Sequence, residues 1–411
     1  MPIVPLRFAY LLFVLAACSG GATDIITPPP PPIANEITVR VLPDTGDLVT
    51  ASVLGWANGI PRAELRLVDR VTGDAVVAVT SASDGTAKLA AIPAGLYDLW
   101  VRRWLSAVEL ASRPPTDDAL GFVTVERGFQ VTGTGFSKTI KVPASRRGTL
   151  VITEIAMEPG EDPAISSYDF GGYLIITNNA DTTIYLDGML LGVATSQARE
   201  APGTPCAERV AWIANPNGLW TSHVQRFPGD GHEYPIGPAE YRMIATDGID
   251  HRPIYSQGYD LRGADFEFRG SADVDNPNVP DMTNVGLREV LGGHGLFTHI
   301  LNASPWFIAL PTDMETLQQE NMPFTLYPFQ LIPADRLLHV ASNLTQYDYP
   351  TPLCGTYVHP RFDRSMAMVV GFQEYGYSTQ RLRTGPNQDG PYQWTKSSDV
   401  DLVKAPKTAP R

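Results

Sequence analysis

Apolar and polar residues alternate with a period of two along this chain, and glycine, proline and asparagine break the alternation at short intervals. EITVRVL (36–42), AELRLVD (63–69) and LYDLWVRR (96–103) each put large apolar side chains on one face and polar ones on the other. A half-buried strand needs that pattern, whereas a helix would smear it around its axis. The sequence SDGTAKLAAIPAGLYDLWV (83–101) reads as turn, strand, turn, strand, with Asp84-Gly85 and Pro93-Ala94-Gly95 as its turns. With 36 glycines and 36 prolines in 411 residues, turns are plentiful. The fold class expected is therefore all-β, with enough apolar material (43%) for more than one core.

Charge narrows the partners. The chain carries a formal net charge of −13 and has no Lys/Arg-rich run, so it repels phosphate backbones and no nucleic-acid partner is expected. The amino-terminal end has Arg7 followed by ten uncharged residues, Phe8 to Ala17. Spanning a bilayer takes about 20 residues as a helix, so this run suits the apolar region of an export signal instead.

The tetrad Leu15-Ala16-Ala17-Cys18 resembles the lipobox of bacterial lipoproteins. The resemblance implies removal of residues 1–17, lipidation at Cys18, and anchorage in the cell envelope at the outer membrane, on its periplasmic or surface face. An ordinary cleaved signal with an incidental cysteine is the alternative. Residues 18–35 follow as a tether; their five consecutive prolines, Pro28 to Pro32, favour stiff polyproline II. In an oxidising compartment the remaining two cysteines, Cys206 and Cys354, are candidates for a disulfide, with two free buried thiols as the alternative.

Residues 36–143 resemble carboxypeptidase-regulatory-like and other prealbumin-like domains through the stretch from Ser83 to Val101, although the usual aromatic after the acidic-glycine pair is missing. That resemblance implies a small immunoglobulin-like sandwich used as a spacer or binding module. Tyr97, Trp100 and Trp104 are open to two readings, a sugar-binding surface or the filling and edge of the core.

Residues 148–411 open with GTLVITEIAMEP. They continue through GGYLIITNNADTTIYLDGMLLG and YPIGPAEYRMIATDG, strands joined by Asn-Asn, Asp-Gly and Gly-Pro turns. The order resembles lamin-tail-like domains, with Glu154, Asn178, Asn179 and Leu186-Asp187-Gly188 in the motif positions. The motifs DLRGADFEFRGSADVDNPNVPDM (260–282), SPWFIALP and GYSTQRLRTG resemble a longer family of domains of unknown function. Those occur in bacterial surface lipoproteins often encoded beside TonB-dependent transporters. The whole chain thus reads as a small sandwich followed by a larger lamin-tail-like sandwich with long loop insertions.

Catalytic motifs are missing from the sequence. His294 and His299 in GGHGLFTH are five apart, which matches neither HExxH nor an i,i+4 pair. The densest group of hard oxygen donors is Asp265, Glu267, Asp273, Asp275 and Asp281, with Asn276 and Asn278 among them. Such a loop suits Ca²⁺, which takes six to eight oxygens, or another polar ligand. A solvated acidic loop is the plainer reading. The function expected is a non-enzymatic, lipid-anchored binding protein that assists an outer-membrane transporter in nutrient or metal uptake. A structural or adhesive surface lipoprotein is the alternative, and a hydrolase working through paired carboxylates the third reading.

Overall fold

The computed structural model describes residues 35–133, 135–156, 171–194, 214–254, 258–269, 275–287, 305–321, 328–346, 358–371, 376–384 and 390–408. Cys18, Cys206, Cys354, Asp273, His294 and His299, with the lipobox and the proline run, lie outside them. None of the described helices is long and apolar enough to cross a membrane.

The first strand shows how alternation becomes architecture. In β1 (Asn35–Pro43), Ile37, Val39 and Val41 are fully buried while Glu36 and Arg40 face solvent. The following strands are β2 (Glu64–Asp69), β3 (Ala75–Thr80), β4 (Thr86–Ile92), β5 (Gly95–Trp104), β6 (Ala119–Val131), β7 (Phe136–Val142) and β8 (Ala144–Arg146). They form a three-stranded sheet, β4-β1-β7, and a five-stranded sheet, β3-β2-β5-β6-β8. Leu65, Leu67, Leu99 and Phe122 of the second sheet join Ile37, Val39 and Val41 in one core. The Asp84-Gly85 turn is fixed sterically: Gly85 has φ +81°, and a Cβ there would stand 2.6 Å from the Val41 carbonyl. A short helix, Ala107–Ala111, links β5 to β6 and starts with a reciprocal capping box between Ser106 and Glu109.

The second core begins at Leu150. A six-stranded sheet runs β16-β15-β10-β9-β23-β24, made of Phe266–Glu267, Tyr241–Ala245, Tyr173–Asn178, β9 (Leu150–Ala156), Tyr377–Arg381 and Leu402–Pro406. Facing it is an eight-stranded sheet. Its path is β19 (Gln319–Asn321), β20 (Pro328–Pro333), β13 (Gly218–Arg226), β12 (Leu190–Ala194), β18 (Pro305–Ala309), β21 (Leu337–Gln346) and β22 (Ala367–Gly371), with β17 (Thr283–Asn284) on β13. A two-residue ribbon, β11 (Ile184–Tyr185) with β14 (Pro235–Ile236), completes the set. Ile152, Leu174, Ile176, Leu191, Trp306 and Ile308 fill the space between the sheets. The molecule is thus predominantly β, built from several stacked sheets, as the alternation predicts.

The two cores touch through a late segment of the chain. Val123 and Val125 of β6 pack on Val400, with Trp100 and Trp104 beside them. Tyr97 instead is buried, its hydroxyl donating to the Pro93 carbonyl at 3.0 Å. The Arg146 N–H donates to the Trp394 carbonyl (2.7 Å), and Arg127 donates to the Asp399 carbonyl (3.0 Å). Residues 391–401 therefore clamp the small sandwich onto the large one.

Candidate functional site

The acidic loop is held by two aromatic rings. Phe266 and Phe268 are both buried, one against Phe227 (centroids 5.0 Å apart) and Tyr234, the other stacked on Trp306 at 5.8 Å. Strand β16 lies parallel to β15, with Ala245 opposite Glu267. Pinned on both sides, Glu267 has no exposure at all. Its carboxylate accepts the Gly248 N–H at 2.6 Å and the Asn276 N–H at 3.3 Å, and the Asn276 side chain donates to the Gly248 carbonyl at 2.6 Å. Gly248 is needed there, because a Cβ would meet Glu267 Oε2 at 2.7 Å.

Three of the five expected acids converge. Glu267, Asp275 and Asp281 each present a carboxylate oxygen, all within 4.8 Å of one another, and they range from buried through half-buried to exposed. Burial, with the nearby charges of Asp247 and Asp281, pushes the Glu267 carboxyl up to about 7 despite its backbone donors. A divalent cation would relieve that repulsion and draw hard oxygens from all three residues. Asp265 does not join them. Its carboxylate accepts the Met243 N–H at 2.8 Å and lies 3.7 Å from Arg242 Nε, so it stitches the loop to β15. Neighbouring charges are also tied up locally: Arg262 and Arg252 grip Asp260, and the Arg262 bond first of all holds its carboxyl down at about 2.

A second feature was not legible in the motifs. The outer face of the six-stranded sheet carries a groove of about 500 Å³ lined by Thr153, Ile175, Thr177, Tyr241, Arg383 and Tyr392 among others. A register shift in β9 opposite Ile175 and Ile176 sets Thr153 on this face, its hydroxyl 3.0 Å from that of Thr177. The Arg383 guanidinium lies 4.1 Å above the Tyr392 ring. Glu154 closes one end, accepting from the Tyr173 hydroxyl, the Ser378 hydroxyl and the Thr408 backbone, so its charge is fully engaged.

These sheets define a class, a two-sandwich all-β chain with an acidic loop and an open groove. In fold the chain is similar to a DUF4876 family protein from Bacteroides thetaiotaomicron. The superposition has a TM-score of 0.52 at 17% identity over 90% of this chain and 94% of that chain. A DUF3823 family protein from Parabacteroides merdae covers 50% of this chain and 96% of its own at 12% identity, and its TM-score of 0.17 carries no argument. The same holds for fervidolysin from Fervidobacterium pennivorans, a keratinolytic enzyme related to subtilisin. It aligns at 16% identity and a TM-score of 0.18 over 40% of this chain and 27% of that one. No family model and no curated protein matches the sequence.

Proposed function

We propose that this chain is a lipid-anchored binding protein of the cell envelope that takes a divalent cation on the 260–282 loop and serves an outer-membrane, TonB-dependent transporter. The lipobox and the lamin-tail-like and surface-lipoprotein motifs support the setting. The observation that carries the binding role is the convergence of Glu267, Asp275 and Asp281, separated in sequence, around a point that a cation would fill. Glu267 contributes no exposed surface, so its carboxylate is held in place before any ligand arrives, which lowers the ordering cost of binding.

Calorimetry with Ca²⁺, Mg²⁺ and Mn²⁺, paired with melting curves with and without chelator, tests the cation role. Saturating Ca²⁺ is expected to raise the melting temperature, and a hundredfold excess over Kd corresponds to about 2.7 kcal/mol. Glu267→Gln should abolish the rise. No shift with any of the three cations refutes the cation role. The anchor is tested apart, by palmitate labelling: label should vanish in Cys18→Ala, and label that persists refutes the lipoprotein reading.

A further inference from the structure

The groove on the six-stranded sheet does not stop at that sheet. Leu382 and Val403 line it, and they also line a hollow of about 240 Å³ on the small sandwich, whose walls include Arg66, Trp100 and Arg102. At the other end Thr177, Ala239, Arg383 and Tyr392 are shared with a further hollow of about 330 Å³ that reaches Asn179 and Asp181. The three hollows form one cleft, which exists only because residues 391–401 dock the small sandwich on the large one. None of its lining residues belongs to the 260–282 loop.

Strand alternation builds the floor. Gln380 and Leu382 flank the buried Arg381, Arg66 sits between the buried Leu65 and Leu67, and Trp100 between the buried Leu99 and Val101. From Tyr241 on β15 through Thr177, Thr153 and Gln380 to Val403 on β24 the cleft crosses five neighbouring strands, about 19 Å at roughly 4.8 Å per strand. Rings stand along it. Tyr241 is 44% exposed, Tyr392 lies under the Arg383 guanidinium, and the half-buried Trp100 has the Arg127 guanidinium 5.0 Å from its ring. Between the rings, aliphatic Ile175, Leu382 and Val403 alternate with polar Thr153, Thr177 and Gln380.

We propose that this cleft binds a neutral oligosaccharide of several rings, laid across both sandwiches. Each other class of ligand meets an obstacle there. Metal cations are repelled by Arg66, Arg102 and Arg383, and a polyanion by Glu64, Glu154, Asp181 and the overall charge of −13. An acyl chain would strip water from the hydroxyls and charges of the floor without replacing its hydrogen bonds. An extended peptide binds a sheet through an open edge, but the cleft lies on sheet faces, where the strand amides are spent on their neighbours in the ladders. A sugar ring has what the floor asks for. Its C–H face packs on aromatic and aliphatic side chains, and its hydroxyl rim donates to and accepts from Thr, Gln, Asn and Arg.

The test uses the full chain, purified in a detergent without a sugar headgroup and kept in chelator throughout, so that it stands apart from the cation role. Calorimetry is run with maltohexaose, cellohexaose, laminarihexaose, xylohexaose, mannohexaose and chitohexaose. The acidic hexagalacturonate and a neutral hexapeptide serve as contrasts. At least one neutral hexaose is expected to bind, and its disaccharide to bind at least about tenfold more weakly, because the cleft is long. Tyr241→Ala and Trp100→Ala should each weaken the hexaose by about tenfold, as loss of a stacking ring implies. Tyr185→Ala, an exposed tyrosine outside the cleft, should leave it unchanged. Melting curves establish that each variant is folded, and the exposed position of Tyr241 keeps the test decisive if Trp100→Ala loosens the junction. The inference is overturned if no neutral hexaose binds, if the folded Tyr241→Ala protein binds as the native one does, or if the disaccharide binds equally well. Preference for hexagalacturonate or the peptide over every neutral chain overturns it too.

Discussion

Asp363 is buried at the junction of β21 and the carboxy-terminal helix. It accepts the Ser342 N–H at 3.0 Å, the Ser398 N–H at 2.9 Å and the Ser398 hydroxyl. Burial nevertheless pushes its carboxyl up to about 6 from the usual 3.8. The raised value fixes the sign of its pH dependence. Below pH 3.8 both folded and unfolded chains hold the proton, and the site costs nothing. As pH climbs through 6 the unfolded chain has ionised first, so stability falls, by about 3 kcal/mol for a shift of this size. Asp363→Asn should be less stable throughout, because an amide cannot accept from all three donors. Its stability relative to wild type should rise between pH 4 and 6, and chemical denaturation across that range reads it directly. Parallel profiles would refute this account of the site.

Elements explain what the sequence displays and what it hides. The alternation in EITVRVL and AELRLVD is legible because each strand has one wet face, and both segments form strands, β1 and β2. The oxygen donors of the 260–282 loop are legible for the same local reason. Their sorting is not. Asp265 and Glu267 are equivalent in a string of letters, and only the parallel pairing of β16 with β15 hands Asp265 to the Met243 amide and turns Glu267 towards Asp275 and Asp281. The groove is hidden further, since Thr153 and Thr177 meet Arg383 and Tyr392 only after β23 docks on β9. The aromatic pins give a prediction at this scale. Phe268→Ala removes the ring stacked on Trp306 and should cost about 3–5 kcal/mol in a denaturation experiment. If the pins position the loop, the same variant loses the Ca²⁺-dependent rise in melting temperature at temperatures where it is still folded.

At the scale of the molecule, the clamp at 391–401 joins the two cores through the Val400 contact and the bonds to Trp394 and Asp399. Val125→Asp puts a charge beside Val400; the wild type is expected to unfold in one calorimetric transition and the variant in two. A single transition in the variant would mean that the contact adds no coupling. The long-range bridge expected between Cys206 and Cys354 is tested by non-reducing mass mapping of the protein expressed with its amino-terminal segment. One cross-linked peptide pair is the expected result, and two alkylatable thiols contradict it. A bridge over a loop of that length would stabilise by roughly 5 kcal/mol at most in the chain-entropy picture.

Strand order carries one more consequence. β9 lies between β10, which follows it closely in the chain, and β23, which arrives more than two hundred residues later. All seven residues of β9 are buried in the finished protein. A chain that stops before Tyr377 therefore leaves one side of the buried strand β9 unpaired, since among the described residues only β10 and β23 pair with it. Products truncated before β23 should be digested by a protease in limited proteolysis at doses that leave the chain with β23 intact, so resistance reports that the sheet has been completed.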